Sequence, residues 1–146
     1  MDDYLLIKMA HGAALAVWLG GLLVLAAVLS FPPARDDADT APAAPSPFVR
    51  GLARWNQRVT LPAMVLTWAL GVTLALRVGW FGHRWLDVKL VIVALLTLLQ
   101  LCETRWVLRL LRQPPVAPPG WAALGAVTVF VGAAAAIMLA LAKPFY

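Results

Sequence analysis

The sequence predicts an all-α integral membrane protein, a four-helix bundle in which residues 1–146 make a single membrane domain. Three observations carry that expectation. Hydrophobic residues make up 62% of the chain and charged residues only 13%, a balance outside the range of ordinary soluble domains. Mean hydropathy is +0.82. Four apolar stretches, at residues 4–31, 59–78, 86–111 and 121–142, each reach the roughly 20 residues that cross a bilayer core.

The first helix is expected over residues 4–31. Its apolar run is far longer than the roughly 7–15 residues of a signal-peptide core, and Asp2 and Asp3 precede it, so it reads as a retained span. Residues 32–47 are expected to be irregular. The stretch FPPARDDADTAPAAPSP, at 31–47, holds five of the eleven prolines together with Asp36, Asp37 and Asp39.

The second helix is expected over 48–79. Arg50, Arg54 and Arg58 recur every four residues with Leu52 and Trp55 between them, which places a basic face against phosphate headgroups before the apolar part begins. Pro62 follows early in that apolar part, and a kink there makes room for a ligand.

The short link GWFGHR, at 79–84, leads to the third helix, expected over 85–111, with Trp80 and Trp85 as interface anchors. Arg105, Arg109 and Arg112 close that helix, and QPPVAPPG, at 113–120, breaks the chain. The fourth helix, expected over 120–142, is rich in alanine and glycine, which favours close helix packing.

An even number of crossings puts both termini and the 79–84 link on one side. Arg35, Arg50, Arg54, Arg58, Arg105, Arg109 and Arg112 fall on the other, against Lys8, Arg77, Arg84, Lys89 and Lys143. The positive-inside rule then puts the first and third loops in the cytoplasm and the termini in the periplasm of a bacterial inner membrane. The net charge of +5 gathers at helix ends beside lipid, so no nucleic-acid partner is expected.

Several function classes drop out. Cys102 is the lone cysteine, which excludes an intrachain disulfide and a CxxCH haem attachment. The chain has no Gly-rich phosphate loop, no Ser/His/Asp set and no HExxH. Hydrolase and nucleotide-driven pump activities are therefore not expected.

What remains is a small set of ionisable residues inside apolar helices, a combination that marks functional sites in membranes. His11 lies about two turns into the first helix and Lys89 about one turn into the third, on the same side of the membrane, so their depths match to within a turn. Lys8 shares the face of His11, and Tyr4, His11 and Trp18 form a heptad-spaced line.

A buried imidazole is the usual nitrogen ligand of haem iron or copper, and a buried lysine serves as base, ligand or partner of a carboxylate. A purely structural account has equal weight from spacing alone: His11 bonded to a backbone carbonyl, and Lys89 snorkelling to the interface.

Other polar residues carry less. His83 in the short link is expected to be solvated, and Asp87 to pair with Arg84. Met64 and Met138 are soft candidates for a second axial ligand, Met138 near the depth of His11, although methionine in an apolar helix usually packs. Glu103 is expected in an interfacial ion pair with the arginines of 105–112 or with Arg54 and Arg58.

YLLIKMAH (4–11), VWLGGL (17–22), LPAMVLTWALG (61–71), WLDVKL (85–90) and the terminal AKPFY (142–146) occur in that order. In these motifs the chain resembles the HemJ-type protoporphyrinogen oxidase family, within the broader CopD-like membrane proteins, and the resemblance runs through all four helices. It departs from the family pattern at the start of the second helix, GLARWNQRV, and late in the third, LLQLCETRW.

The resemblance implies a membrane protein that binds haem b and oxidises protoporphyrinogen IX to protoporphyrin IX. His11 would be the ligand of the haem iron and Lys89 the essential, catalytic lysine beside haem or substrate carboxylates. Lys8, Arg77, Arg84 and Lys89 would supply cations for the propionates, and Met138 a second iron ligand. Electrons would pass to a quinone or a partner chain. The porphyrin substrate and the lipid bilayer are the expected partners, and self-association into a homo-oligomer is compatible with this scheme.

Two other functions fit the sequence less closely. Copper handling, suggested by the CopD-like outline, would use His11 with Met9 or Met138, but four scattered methionines and two histidines are not the clustered ligands of a copper carrier. A non-enzymatic membrane subunit would pack on a larger complex through the small residues at 125–136.

Overall fold

The structure is a computed structural model that describes residues 2–30, 45–112, 120 and 122–142. Helix α1 spans Asp2–Ser30, α2 Pro47–Trp55, α3 Leu61–Val78, α4 Arg84–Arg112 and α5 Ala122–Ala142, with a π-helical segment at Asn56–Thr60. That segment joins α2 to α3, so the described residues form four long helices, with no strand among them. The all-α bundle and the four-helix order are those the sequence predicts. Three of the four, Asp3–Ser30, Pro47–Val78 and Arg84–Arg112, are long and apolar enough to cross a membrane.

Local chemistry sets the ends. Ser46 caps α2 by accepting the Val49 amide at 3.2 Å, and Pro47 follows in the first turn, where its missing N–H costs nothing. Gly79 ends α3 in the left-handed region at φ 72°, and the amide of Trp80 returns to the Ala75 carbonyl at 3.0 Å. Trp80 and Trp85 then meet edge to face with ring centroids 5.4 Å apart, closing the short link.

At Pro62 the sequence predicts a kink, and the structure places the π-helical segment directly upstream. Pro62 has no N–H, and its ring crowds the carbonyl of Arg58 four residues back. The helix responds by widening: the Leu61 amide bonds the carbonyl of Asn56, five residues back rather than four. This extra residue turns both Asn56 and Thr60 into the bundle, where each is buried.

Helix α1 is central, packing on α3, α5 and the π-helical segment, while α4 packs on α5 and α2. Trp18, Leu22 and Ala26 of α1 meet Ala63 and Met64 of α3, Leu96 of α4 and Val129 of α5 in the main core. A second cluster joins Leu25, Leu29, Ala53 and Val107. Gly21 lets the chains come close: a Cβ there would collide with the side chain of Thr60.

Leu6, Val65, Leu76, Leu95, Leu98 and Phe130 point outward, each more than half exposed. Apolar surface on this scale is what a bilayer covers. The chain is therefore a membrane protein whose outer face meets lipid tails.

Candidate functional site

Two adjoining cavities lie at the end of the bundle that holds the start of α1, the end of α3 and the start of α4. The larger, about 250 Å³, is lined mainly by apolar groups, among them Leu15, Trp68, Val72, Phe81 and Leu90. The smaller, about 130 Å³, is bounded by Tyr4, Lys8, Leu74, Trp80 and Trp85. His11, Gly71, Ala75, Leu86 and Lys89 belong to both walls. The two residues whose depths match in the sequence thus line the same two cavities, one from α1 and the other from α4.

His11 is held by the backbone of α3. Its Nδ1 lies 3.0 Å from the carbonyl oxygen of Thr67. A carbonyl can only accept, so Nδ1 carries the proton and Nε2 keeps its lone pair. Among the described residues Nε2 has no hydrogen-bond partner. This bond to a backbone carbonyl is the one the purely structural account of His11 expects, and it is also the tautomer and outer bond that metal-ligating histidines use.

Gly71, one turn beyond Thr67, makes the approach possible, since a Cβ there would sit 3.0 Å from Cε1 of His11. The hydroxyl of Thr67 is turned away, donating to the Ala63 carbonyl at 2.8 Å. Trp68 is fixed beside it by its indole N–H, which donates to Oγ1 of Thr97 on α4 at 3.0 Å. That hydroxyl in turn donates to the Val93 carbonyl at 2.8 Å.

The structure brings Lys8, His11 and Lys89 together and leaves the other expected site residues apart. Arg77 and Arg84 are exposed at the ends of α3 and α4 and line neither cavity. Met138 is 64% exposed on the outer surface of α5, and Met9 is 64% exposed on α1. Sequence spacing gives the height of such residues along a helix, but not which neighbour that face meets. His83 is exposed, as expected of a residue in the short turn.

The expectation for Glu103 is corrected. Glu103 is 1% exposed, while Arg54, Arg58, Arg105, Arg109 and Arg112 are exposed, and among the described residues it makes no ion pair. Helix α4 turns the glutamate inward and its arginines outward. The contributions of the Thr67 carbonyl, Gly71 and Phe81 are also absent from the sequence account. Thr67 and Gly71 stand four apart in LTWALG, a visible spacing whose meaning depends on the partner helix.

Chemically, the larger cavity offers an aromatic and aliphatic slot with one free imidazole nitrogen, and the smaller one ends in two lysines and a tyrosine. Val72 and Phe81 are 39% and 51% exposed, so the slot reaches the outer surface of the bundle. Among the described residues no group of three or more His, Cys, Asp or Glu side chains is placed to hold a metal ion. His11 could thus ligate a metal that brings its other ligands with it. No family model, curated protein or solved structure matches the chain.

Proposed function

We propose that this chain is a haem b-binding redox protein of the bacterial inner membrane, resembling protoporphyrinogen IX oxidase and oxidising protoporphyrinogen IX to protoporphyrin IX. The observation that carries the proposal is the bond from His11 Nδ1 to the Thr67 carbonyl, which leaves Nε2 free at the wall of an apolar slot. A porphyrin brings four nitrogens of its own, so one histidine would suffice where a bare metal ion would need a cluster.

The fit is one of shape and charge together. The larger cavity alone, about 250 Å³, falls short of the roughly 300–1,000 Å³ of small-molecule sites. With the adjoining cavity it passes the lower bound, and its outward opening lets the edge of a macrocycle lie in lipid. Trp68 and Phe81 offer aromatic surface, and Gly71 leaves room beside the imidazole.

In this scheme His11 would hold the iron through Nε2, and Lys8 and Lys89 would hold carboxylates of a tetrapyrrole in the smaller cavity. Lys89, which faces both cavities, positions substrate carboxylates next to the haem. Haem b, when bound, supplies one-electron redox chemistry. Hydrogens removed from the porphyrinogen leave as protons and electrons, the electrons passing to a quinone or an electron-transfer partner.

Arg50, Arg54 and Arg58 before α3 and Arg105, Arg109 and Arg112 at the end of α4 support a cytoplasmic position for that end of the bundle and, with four crossings, periplasmic termini. The oxidase assignment is tested by rescue of a bacterial strain lacking protoporphyrinogen oxidase. The wild-type chain should restore growth and Lys89→Ala should not. Bound haem with no rescue by the wild type would leave an electron carrier and overturn the oxidase.

A further inference from the structure

At the other end of the bundle a second polar group lies wholly inside the helices. Asn56 of the π-helical segment donates from Nδ2 to Oγ1 of Thr104 at 2.9 Å. Gln100 donates from Nε2 to Oδ1 of Asn56 at 2.8 Å and to Oγ1 of Thr104 at 3.1 Å. Those bonds fix the Gln100 amide with its oxygen turned away from Asn56.

Two acceptors are left over. Oε1 of Gln100 and Oε2 of Glu103 are buried without a hydrogen-bond partner, and the two residues are 0% and 1% exposed. They stand three apart on one face of α4, where Cβ atoms lie about 5–6 Å from each other. Two acceptors cannot satisfy one another, but one proton on the carboxyl turns it into a donor and satisfies both.

Among the described residues, none near Glu103 supplies a buried positive charge. Its Oε1 lies 3.3 Å from where a Cβ on Gly125 of α5 would be, with Ala26 of α1 beside that point. Helix α5 carries no charged residue, and α1 carries none between Lys8 and Ser30 apart from His11, several turns away. The cations of neighbouring elements, Arg54, Arg58, Arg105 and Arg109, are exposed. A bare carboxylate in such surroundings is strongly disfavoured, whereas a carboxylic acid is not.

We propose that Glu103 is a proton-binding site inside the bundle, its carboxyl protonated at neutral pH and donating from Oε2 to Oε1 of Gln100. The Asn56–Gln100–Thr104 network orients the acceptor, and Gly125 leaves space for the acid. Along α4 the site is 14 residues from Lys89, or about 21 Å. It lies near the opposite membrane surface and is independent of what the His11 cavities bind.

Infrared spectroscopy of the full-length protein in lipid at neutral pH tests this. The wild type should show the carbonyl stretch of a protonated carboxylic acid, shifted downward in D2O and absent from Glu103→Gln. Gln100→Leu, which removes the acceptor, should move the band to higher frequency, and Glu103→Asp should shift it without abolishing it. A wild-type spectrum with only carboxylate bands, or an acid band that survives in Glu103→Gln, would overturn the proposal.

Discussion

Gly71 of α3 faces the His11 ring of α1 so closely that a Cβ on residue 71 would lie 3.0 Å from Cε1 of the imidazole. The glycine therefore sets how near the ring comes to the Thr67 carbonyl, and with it where Nε2 points.

Gly71→Val should force the ring away and break the Nδ1 bond while leaving the lipid-facing surface unchanged. Losing a second-shell bond of this kind lowers metal affinity about 10–100-fold. Haem retained per protein after detergent washing measures it, and Gly71→Ser should fall between Val and the wild type.

Lys8→Gln and Lys89→Gln each remove one cation from the smaller cavity. Each should weaken binding of a dicarboxylic porphyrin about tenfold, or ~1.4 kcal/mol, with little effect on a porphyrin dimethyl ester. Arg77→Gln and Arg84→Gln, whose side chains line neither cavity, should bind both alike. Fluorescence titration of a metal-free porphyrin separates the two groups.

Gly21→Ala places a methyl group against Thr60 and should cost about 1–3 kcal/mol, as overpacked cores do. Adding Thr60→Ala should recover most of the loss, which thermal unfolding in detergent can follow. Equal stability of both variants would mean that α1 and the π-helical segment are not in close contact.

Asn56→Ala should destabilise the protein by about 1–3 kcal/mol, because the Gln100 amide loses a buried acceptor. In a double-mutant cycle with Gln100→Leu the two losses should be less than additive. Additive effects would separate the two residues.

The four-helix outline was legible because length and hydropathy determine which segments can span a bilayer. His11 and Lys89 were legible as a pair because helical rise converts sequence position into depth, and both line the same two cavities. What spacing could not give was rotation about each helix axis. Met138 has a suitable height and faces outward, and Arg77 and Arg84 lie at the right end of the bundle on the wrong faces.

The widened helix at Asn56–Thr60 was hidden for a different reason. Pro62 marks a disturbance, but whether it becomes a bend or a π-helical register shift depends on the surfaces it must satisfy. Here the shift carries Asn56 to Gln100. The residues of this network lie in GLARWNQRV and LLQLCETRW, on two helices far apart in sequence.

The most direct test of the central claim is the absorption spectrum of the wild-type protein purified from haem-replete membranes. The proposed function predicts a Soret band that is lost in His11→Ala and regained when that variant is given imidazole. A colourless wild-type protein, or an unchanged Soret band in His11→Ala, would contradict it.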